Sequence, residues 1–326
     1  MTPSFDSVPD SIFGVVEEHL ETVERRHAVA VSFAVARGSH AWGGASPDSD
    51  YDVGFVFVHD DLREYAHLDG IEDAIHWEPD GNRESEDGDE FEYQGWDVST
   101  FARLLADSND GAIDLLRSPI RYRTPSGSGS VLEDLRAYVE ATYDPVSLYH
   151  AWRGIATNNY RKYLSEHLVD GRNETYPILE RRADSFVVER PGGDGTMTMP
   201  VDDERFTETQ TKPTVKRNLL ICRSAMYARY LTATGERGEH ELPHLHFESF
   251  LEEQAGAVFA AERIDLARDL LVRKRAGEGD ERVGDLVGRE FAHPPREIDP
   301  RVHARGGPDV ERLNGFVDEL IDAALV

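Results

Sequence analysis

The chain has 326 residues, a formal net charge of −28 from 63 acidic and 35 basic residues, and a single cysteine, Cys222. That length favours two domains with an ample core, no apolar run approaches the ~18 residues of a membrane span, and the first residues lack the basic-then-apolar pattern of a signal peptide. One cysteine excludes an intramolecular disulfide, as expected in the cytoplasm, and the acidity is expected to be a solvated surface suited to high salt.

Residues 9–26 place Ile12, Val15, Val16, Leu20 and Val23 at helical spacing. Two β-rich runs, 29–36 and 53–58, flank a loop that contains Gly38-Ser39 and Asp50-Tyr51-Asp52. A short helix or turn is expected over 60–66, a strand over 71–77, a polar acidic loop over 78–90 and a third strand over 91–98. Ser99 reads as the N-cap of a helix over 100–106, and a second helix, 110–117, stops at Ser118-Pro119. The run 125–130 (PSGSGS) reads as a flexible joint. It divides the chain into a 1–125 domain and a mainly helical 131–326 domain. In the latter, helical periodicity covers 146–169, 213–233, 247–254, 257–276 and 308–325. The segment 170–211 reads as an irregular insert, with a hairpin candidate over 185–199 centred on Gly192-Gly193.

The loop between the first two strands carries the chemistry. In a strand, residues i and i+2 share a face, so Asp50 and Asp52 project together at a strand end, beside the Gly38-Ser39 turn. Glycine lets a backbone approach phosphate closely, amides at a helix start point toward an anion, and Ser39 adds a hydroxyl. Magnesium takes hard oxygen ligands and shares itself between one or two carboxylates and substrate phosphates. Two-metal phosphoryl-transfer sites hold ions about 3.5–4 Å apart. Asp50 and Asp52 would supply two carboxylates. Asp97 is the expected third, if the third strand lies beside the second and brings it to the same sheet end. A lone Asp-x-Asp in so acidic a chain is often a solvated loop pair; the strand–turn–Asp-x-Asp–strand context makes this one informative.

Lys216 and Arg223, seven apart on one expected helix, share a face. With Lys162 they are expected phosphate contacts, the plain alternative being surface ion pairs. Trp42 and Tyr51 flank the motif, to stack on a base or to pack locally. His240, His244 and His246 lie close in sequence, but neither cysteine partners nor a His-Glu-x-x-His pattern supports zinc.

The segment 37–57 resembles the signature of the DNA polymerase β-like nucleotidyltransferase superfamily, a Gly-Ser turn followed by an Asp-x-Asp pair. Within it the chain is similar to the YcgL-like, RNA-ligase-adjacent group. Gly95-Trp96-Asp97-Val98, the run 115–122 (LLRSPIRY) and the helix around Arg223 extend the likeness. The resemblance implies an α+β fold: a nucleotidyltransferase-type mixed β-sheet with flanking helices, followed by a mainly helical domain. It also implies Mg²⁺-dependent transfer (two ions, Mn²⁺ as a substitute) of a nucleoside monophosphate from an NTP. Asp50, Asp52 and Asp97 would be metal ligands, and the triphosphate would rest on Gly38, Ser39, Lys216, Arg223 and Lys162. By family analogy the acceptor is an RNA 3′ end; a protein hydroxyl is the second expectation, and a non-catalytic nucleotide or RNA sensor is the alternative of another class. No membrane partner is expected. Nothing carries over to the 170–211 insert.

Overall fold

The computed structural model describes residues 8–68, 70–79, 90–124, 129–191, 195–209 and 211–325. Most of the expected 78–90 loop, residues 125–128 of the 125–130 joint and the Gly192-Gly193 turn lie outside the described residues.

Helix α1 (Asp10–His27) forms because Ile12, Val16, Leu20 and Val23 recur every three or four residues and are all buried. Each side chain of that kind taken out of water contributes about 1.5–3 kcal/mol. Ala28, in the left-handed region at φ 54°, ends the helix by donating its N–H to the Glu24 carbonyl. Then come β1 (Val29–Ala36), the single turn α2 (Gly38–Ala41), β2 (Tyr51–His59), β3 (Ala74–Trp77), β4 (Phe91–Asp97), α3 (Val98–Ala106), α4 (Asp110–Arg117), β5 (Arg121–Arg123), α5 (Gly129–Thr142) and α6 (Pro145–Asn159). Further strands are β6 (His167–Asp170), β7 (Thr175–Arg181), β8 (Ser185–Glu189), β9 (Thr196–Pro200) and β10 (Phe206–Thr209). Helices α7 (Val215–Glu236), α8 (Phe247–Ser249), α9 (Ala261–Arg273), α10 (Arg289–Ala292), α11 (Pro300–His303) and α12 (Val310–Ala324) complete the chain.

The first sheet has the order β3-β4-β2-β1-β5. Strand β2 is antiparallel to β1 but parallel to β4, so the sheet is mixed, as expected. Alternation gives it two faces. Val53, Phe55 and Phe57 of β2 join Phe91 and Tyr93 of β4 in one core cluster with the apolar stripe of α1. Asp52, Gly54 and Val56, paired with Glu92, Gln94 and Trp96, point the other way.

The chain folds as two compact units. One comprises the described residues to Ala151, residues 231–258 and the C-terminal segment from Ile298; the other comprises Trp152–Tyr230 and Phe259–Glu297. This differs from the division expected at 125–131. Helices α5 and α12 belong to the first unit. Ser32 Oγ of β1 donates to the Leu320 carbonyl of α12 at 3.3 Å, and Phe316 lies 5.8 Å from the Tyr138 ring of α5. The amphipathic face of α12 buries Leu313, Phe316 and Leu320, which packs the chain end into the first unit.

The second unit corrects another expectation. The 170–211 insert is not irregular: it supplies most of an antiparallel sheet ordered β10-β6-β7-β8-β9. Leu168, Tyr176, Phe186, Val188 and Met199 form its core. The expected hairpin is β8/β9. The expected 146–169 helix stops at Asn159, continues as one π turn (Tyr160–Leu164), and gives way to β6. Among the described residues no helix is long and apolar enough to cross a membrane.

Candidate active site

The β1/β2 pairing sets the site. Beyond the Ala36–Val53 pair the ladder takes one more step, in which the Arg37 N–H donates to the Asp52 carbonyl at 2.7 Å. That step seats Gly38 against the Asp52 side chain. Gly38 has φ 55°, and a Cβ there would overlap Asp52 Oδ2; only glycine admits the carboxylate at this turn. The Ser39 carbonyl accepts the Gly44 N–H at 2.8 Å, and the Trp42 ring fills the space a Cβ on Gly44 would need. Tyr51 is stacked between His40, at 4.7 Å, and Phe91, at 5.2 Å. It packs against protein, the local alternative expected for it.

The parallel register places Glu92 beside Asp52 on the same face. Burial first, then the like charges of Glu92 and Asp50, push the Asp52 carboxyl up to about 6, with the Arg37 guanidinium opposing. Arg37 runs over Gly54, where a Cβ would strike its Cδ, donates to Gln94 Oε1, and lies 5.3 Å over the Trp96 ring. Burial lowers its own pKa, while Asp52 and Glu92 work to raise it. Arg37, Gly38, Asp52, Val53, Glu92 and Gln94 line a cavity of about 200 Å³. Asp52 and Glu92 are the hard oxygen donors that line this cavity, with Asp50 near enough for its charge to act on Asp52. Among the described residues no group of three or more His, Cys, Asp or Glu side chains is placed to hold a metal ion, so a cation here would take one or two carboxylates and complete its shell with water and phosphate oxygens.

Asp97 is not in this group. It pairs with Phe57 at the opposite end of β2, five registers from the Asp52–Glu92 row, or about 16 Å at ~3.3 Å per residue. The reason is strand direction: parallel strands bring their starts together, and Asp97 ends β4. Fully buried, it is itself the N-cap of α3, the role expected of Ser99. Its Oδ1 accepts the Ser99 N–H at 2.8 Å and Ser99 Oγ–H at 2.6 Å, and Tyr65 Oη donates to its Oδ2.

Sequence reasoning missed Glu92, Arg37 and Gln94. Two signals pointed to Glu92. The Phe91-Glu92-Tyr93 alternation puts a carboxylate at the start of a strand, and the long 60–90 connection suits a parallel neighbour better than a hairpin.

Lys162, Lys216 and Arg223 lie in the second unit. Lys216 Nζ pairs with Asp280 Oδ1 at 2.7 Å, Lys162 Nζ sits 5.1 Å from the Tyr163 ring centre, and the Arg223 guanidinium sits 5.6 Å from that of Tyr227. The histidines do not converge either. His240 meets His303 at 3.2 Å, His244 meets Glu253 at 3.1 Å, and His246 caps α8. Cys222 is wholly buried in α7, and burial pushes its thiol up to about 11, which leaves it inert at neutral pH.

The profile of the RNA repair pathway DNA polymerase beta family matches residues 14–319, almost the whole chain. The chain belongs to that family. This RNA repair pathway polymerase β membership carries the general reaction class, nucleotidyl transfer. Among curated proteins, the uncharacterized protein YcgL of Bacillus subtilis (strain 168) is 31% identical over 168 residues, 50% of this chain and 59% of YcgL. The chain thus spans less than two thirds of that relative.

Proposed function

We propose that this RNA repair pathway polymerase β family protein moves a nucleoside monophosphate from an NTP to the hydroxyl at an RNA 3′ end and releases pyrophosphate. The observation that supports it most is the placement of Asp52 and Glu92 side by side against the Gly38 turn, with Asp50 adjoining. The donor set fits Mg²⁺. Asp52 and Glu92 lie side by side, and burial, then the like charges of Glu92 and Asp50, raise the Asp52 carboxyl to about 6. Magnesium needs only one or two carboxylates, completing its shell with water and phosphate oxygens. When bound, Mg²⁺ (two ions, or Mn²⁺) supplies neutralisation of the phosphates and a more reactive acceptor hydroxyl.

The protein's own groups do the positioning. Gly38 keeps the approach to Asp52 free of side-chain bulk, and Ser39, the next residue, would offer its hydroxyl to a phosphate. Arg37 spans Gly54 to Gln94 and Trp96 and offsets part of the negative charge. A cavity of about 200 Å³ is smaller than the ~300 Å³ at which small-molecule pockets begin; it suits phosphate groups, with base and ribose outside. RNA as acceptor rests on the family's RNA-repair description.

The test is incubation with α-labelled NTPs, Mg²⁺ and RNA bearing a free 3′ hydroxyl. Label should join the RNA 3′ end. Asp52→Asn and Glu92→Gln should each lower the rate on the order of a thousandfold, the kinetic equivalent of several kcal/mol of lost charge stabilisation. Mg²⁺ should raise the melting temperature of the unsubstituted protein and not that of Asp52→Asn. Full activity in Asp52→Asn, or label entering protein while RNA stays unlabelled, would sink the proposal.

A further inference from the structure

The chain has four lysines, Lys162, Lys212, Lys216 and Lys274; its other basic residues are all arginine. The four come from three separated segments, yet they meet on one surface of the second unit. Lys162 Nζ lies 5.1 Å from the Tyr163 ring centre and the Arg217 guanidinium 3.8 Å from the same ring. The Lys212 N–H donates to the Tyr163 carbonyl at 3.0 Å, and the Lys216 N–H donates to the Gly279 carbonyl at 2.9 Å. A Cβ placed on Gly279 would touch Lys274 Cδ at 3.0 Å and Lys216 Cβ at 3.8 Å. The charges around Tyr163 and Asp280 match this crowding. Lys162, then Arg217 and Lys212, lower the Tyr163 phenol, and Lys216, then Arg217 and Lys274, lower the Asp280 carboxyl.

Lys162, Lys212 and Lys216 are exposed. Asp280, the partner of Lys216, has a side chain 82% exposed, and an exposed pair of that kind yields readily to another anion. On a molecule of net charge −28 these four lysines and Arg217 gather in one place, with Asp280 among them. The composition of this surface narrows the ligand. Arginine's planar fork suits bidentate carboxylates and phosphates, and it makes most of the ion pairs among the described residues, Lys216–Asp280 being one exception. Lysine is a strongly hydrated point charge on a flexible stem, suited to phosphates met without fixed orientation. An open, spread surface of point charges fits repeated phosphates along a strand rather than one small anion in an enclosed pocket.

We propose that the surface formed by Lys162, Lys212, Lys216 and Lys274, with Arg217, docks the phosphodiester backbone of single-stranded RNA. The choice of RNA over DNA rests on the function proposed above; strand binding through phosphates does not.

The test is fluorescence anisotropy with a labelled single-stranded RNA over a range of KCl concentrations, using the full chain. Four or five phosphate contacts predict a slope of log K against log[KCl] of about −3, and removing three lysine charges (Lys162→Gln/Lys212→Gln/Lys216→Gln) should shrink it to about −1 with at least ~10-fold weaker binding. The corresponding Lys→Arg triple variant should bind as the unsubstituted protein does. Should the Gln triple variant unfold, the single exposed variants Lys162→Gln and Lys212→Gln should each reduce the slope by about 0.7. Unchanged affinity and slope in the Gln variants overturns the proposal. So does displacement of RNA by free NTP, or by poly-glutamate, at equal charge concentration. Asp52→Asn separates the two readings: RNA binding that persists in Asp52→Asn supports the docking surface whether or not transfer is observed. Equal binding of DNA removes the RNA preference alone.

Discussion

Gly38 and Asp52 share a space that holds one of them only because the other is small. The glycine sits at φ 55° and its missing Cβ is replaced by Asp52 Oδ2. Gly38→Ala therefore meets two penalties: the left-handed backbone of a non-glycine residue, about 1–2 kcal/mol, and displacement of the carboxylate. Urea unfolding should show a loss of that size, and nucleotidyl transfer should fall by more than the loss of folded protein explains. Gly54 plays the matching part for Arg37. At this scale the approach of Gly38 to Asp52 was legible because both flank one turn between two paired strands. Glu92 was not, since it becomes Asp52's neighbour only through a pairing forty positions away.

At the scale of elements, β4 was readable and its direction was not. Alternation in 91–97 announces a strand whichever way it runs. Only the parallel register decides that Glu92 meets Asp52 and that Asp97 ends at the far edge. Asp97 then does structural work, capping α3 and receiving the Tyr65 hydroxyl. Asp97→Ala should cost about 1–2 kcal/mol for the lost cap and about 1–3 kcal/mol for the Tyr65 hydroxyl left unpaired. It should still show Mg²⁺-dependent thermal stabilisation and transfer in the folded fraction. Normal stability with abolished metal response would return Asp97 to the metal site. The strands of 170–211 escaped notice for a related reason. Four to seven residues each, they are too short for alternation to stand out, and their partner strands define them.

For the whole molecule the dominant quantity is the net charge of −28. Self-repulsion destabilises a compact state and salt screens it: from about 0.1 to 1 M the Debye length falls from about 10 to about 3 Å. The melting temperature should rise steadily across that range of KCl, as read by circular dichroism. A flat or falling curve would contradict the expected high-salt adaptation. RNA binding through the lysine surface should weaken over the same range, so stability and strand affinity respond to salt with opposite sign.

By itself the sequence determined the mixed α+β character, the helix and strand periodicities, the acidic surface and the turn carrying Gly38, Ser39, Asp50 and Asp52, because each depends on neighbours within a few residues. Tertiary structure alone decided that Glu92 and not Asp97 joins Asp52, that α12 returns to the sheet of the first unit, and that four scattered lysines meet. Those outcomes depend on strand direction and on which apolar faces bury one another, and such choices are settled by packing between segments far apart in the chain.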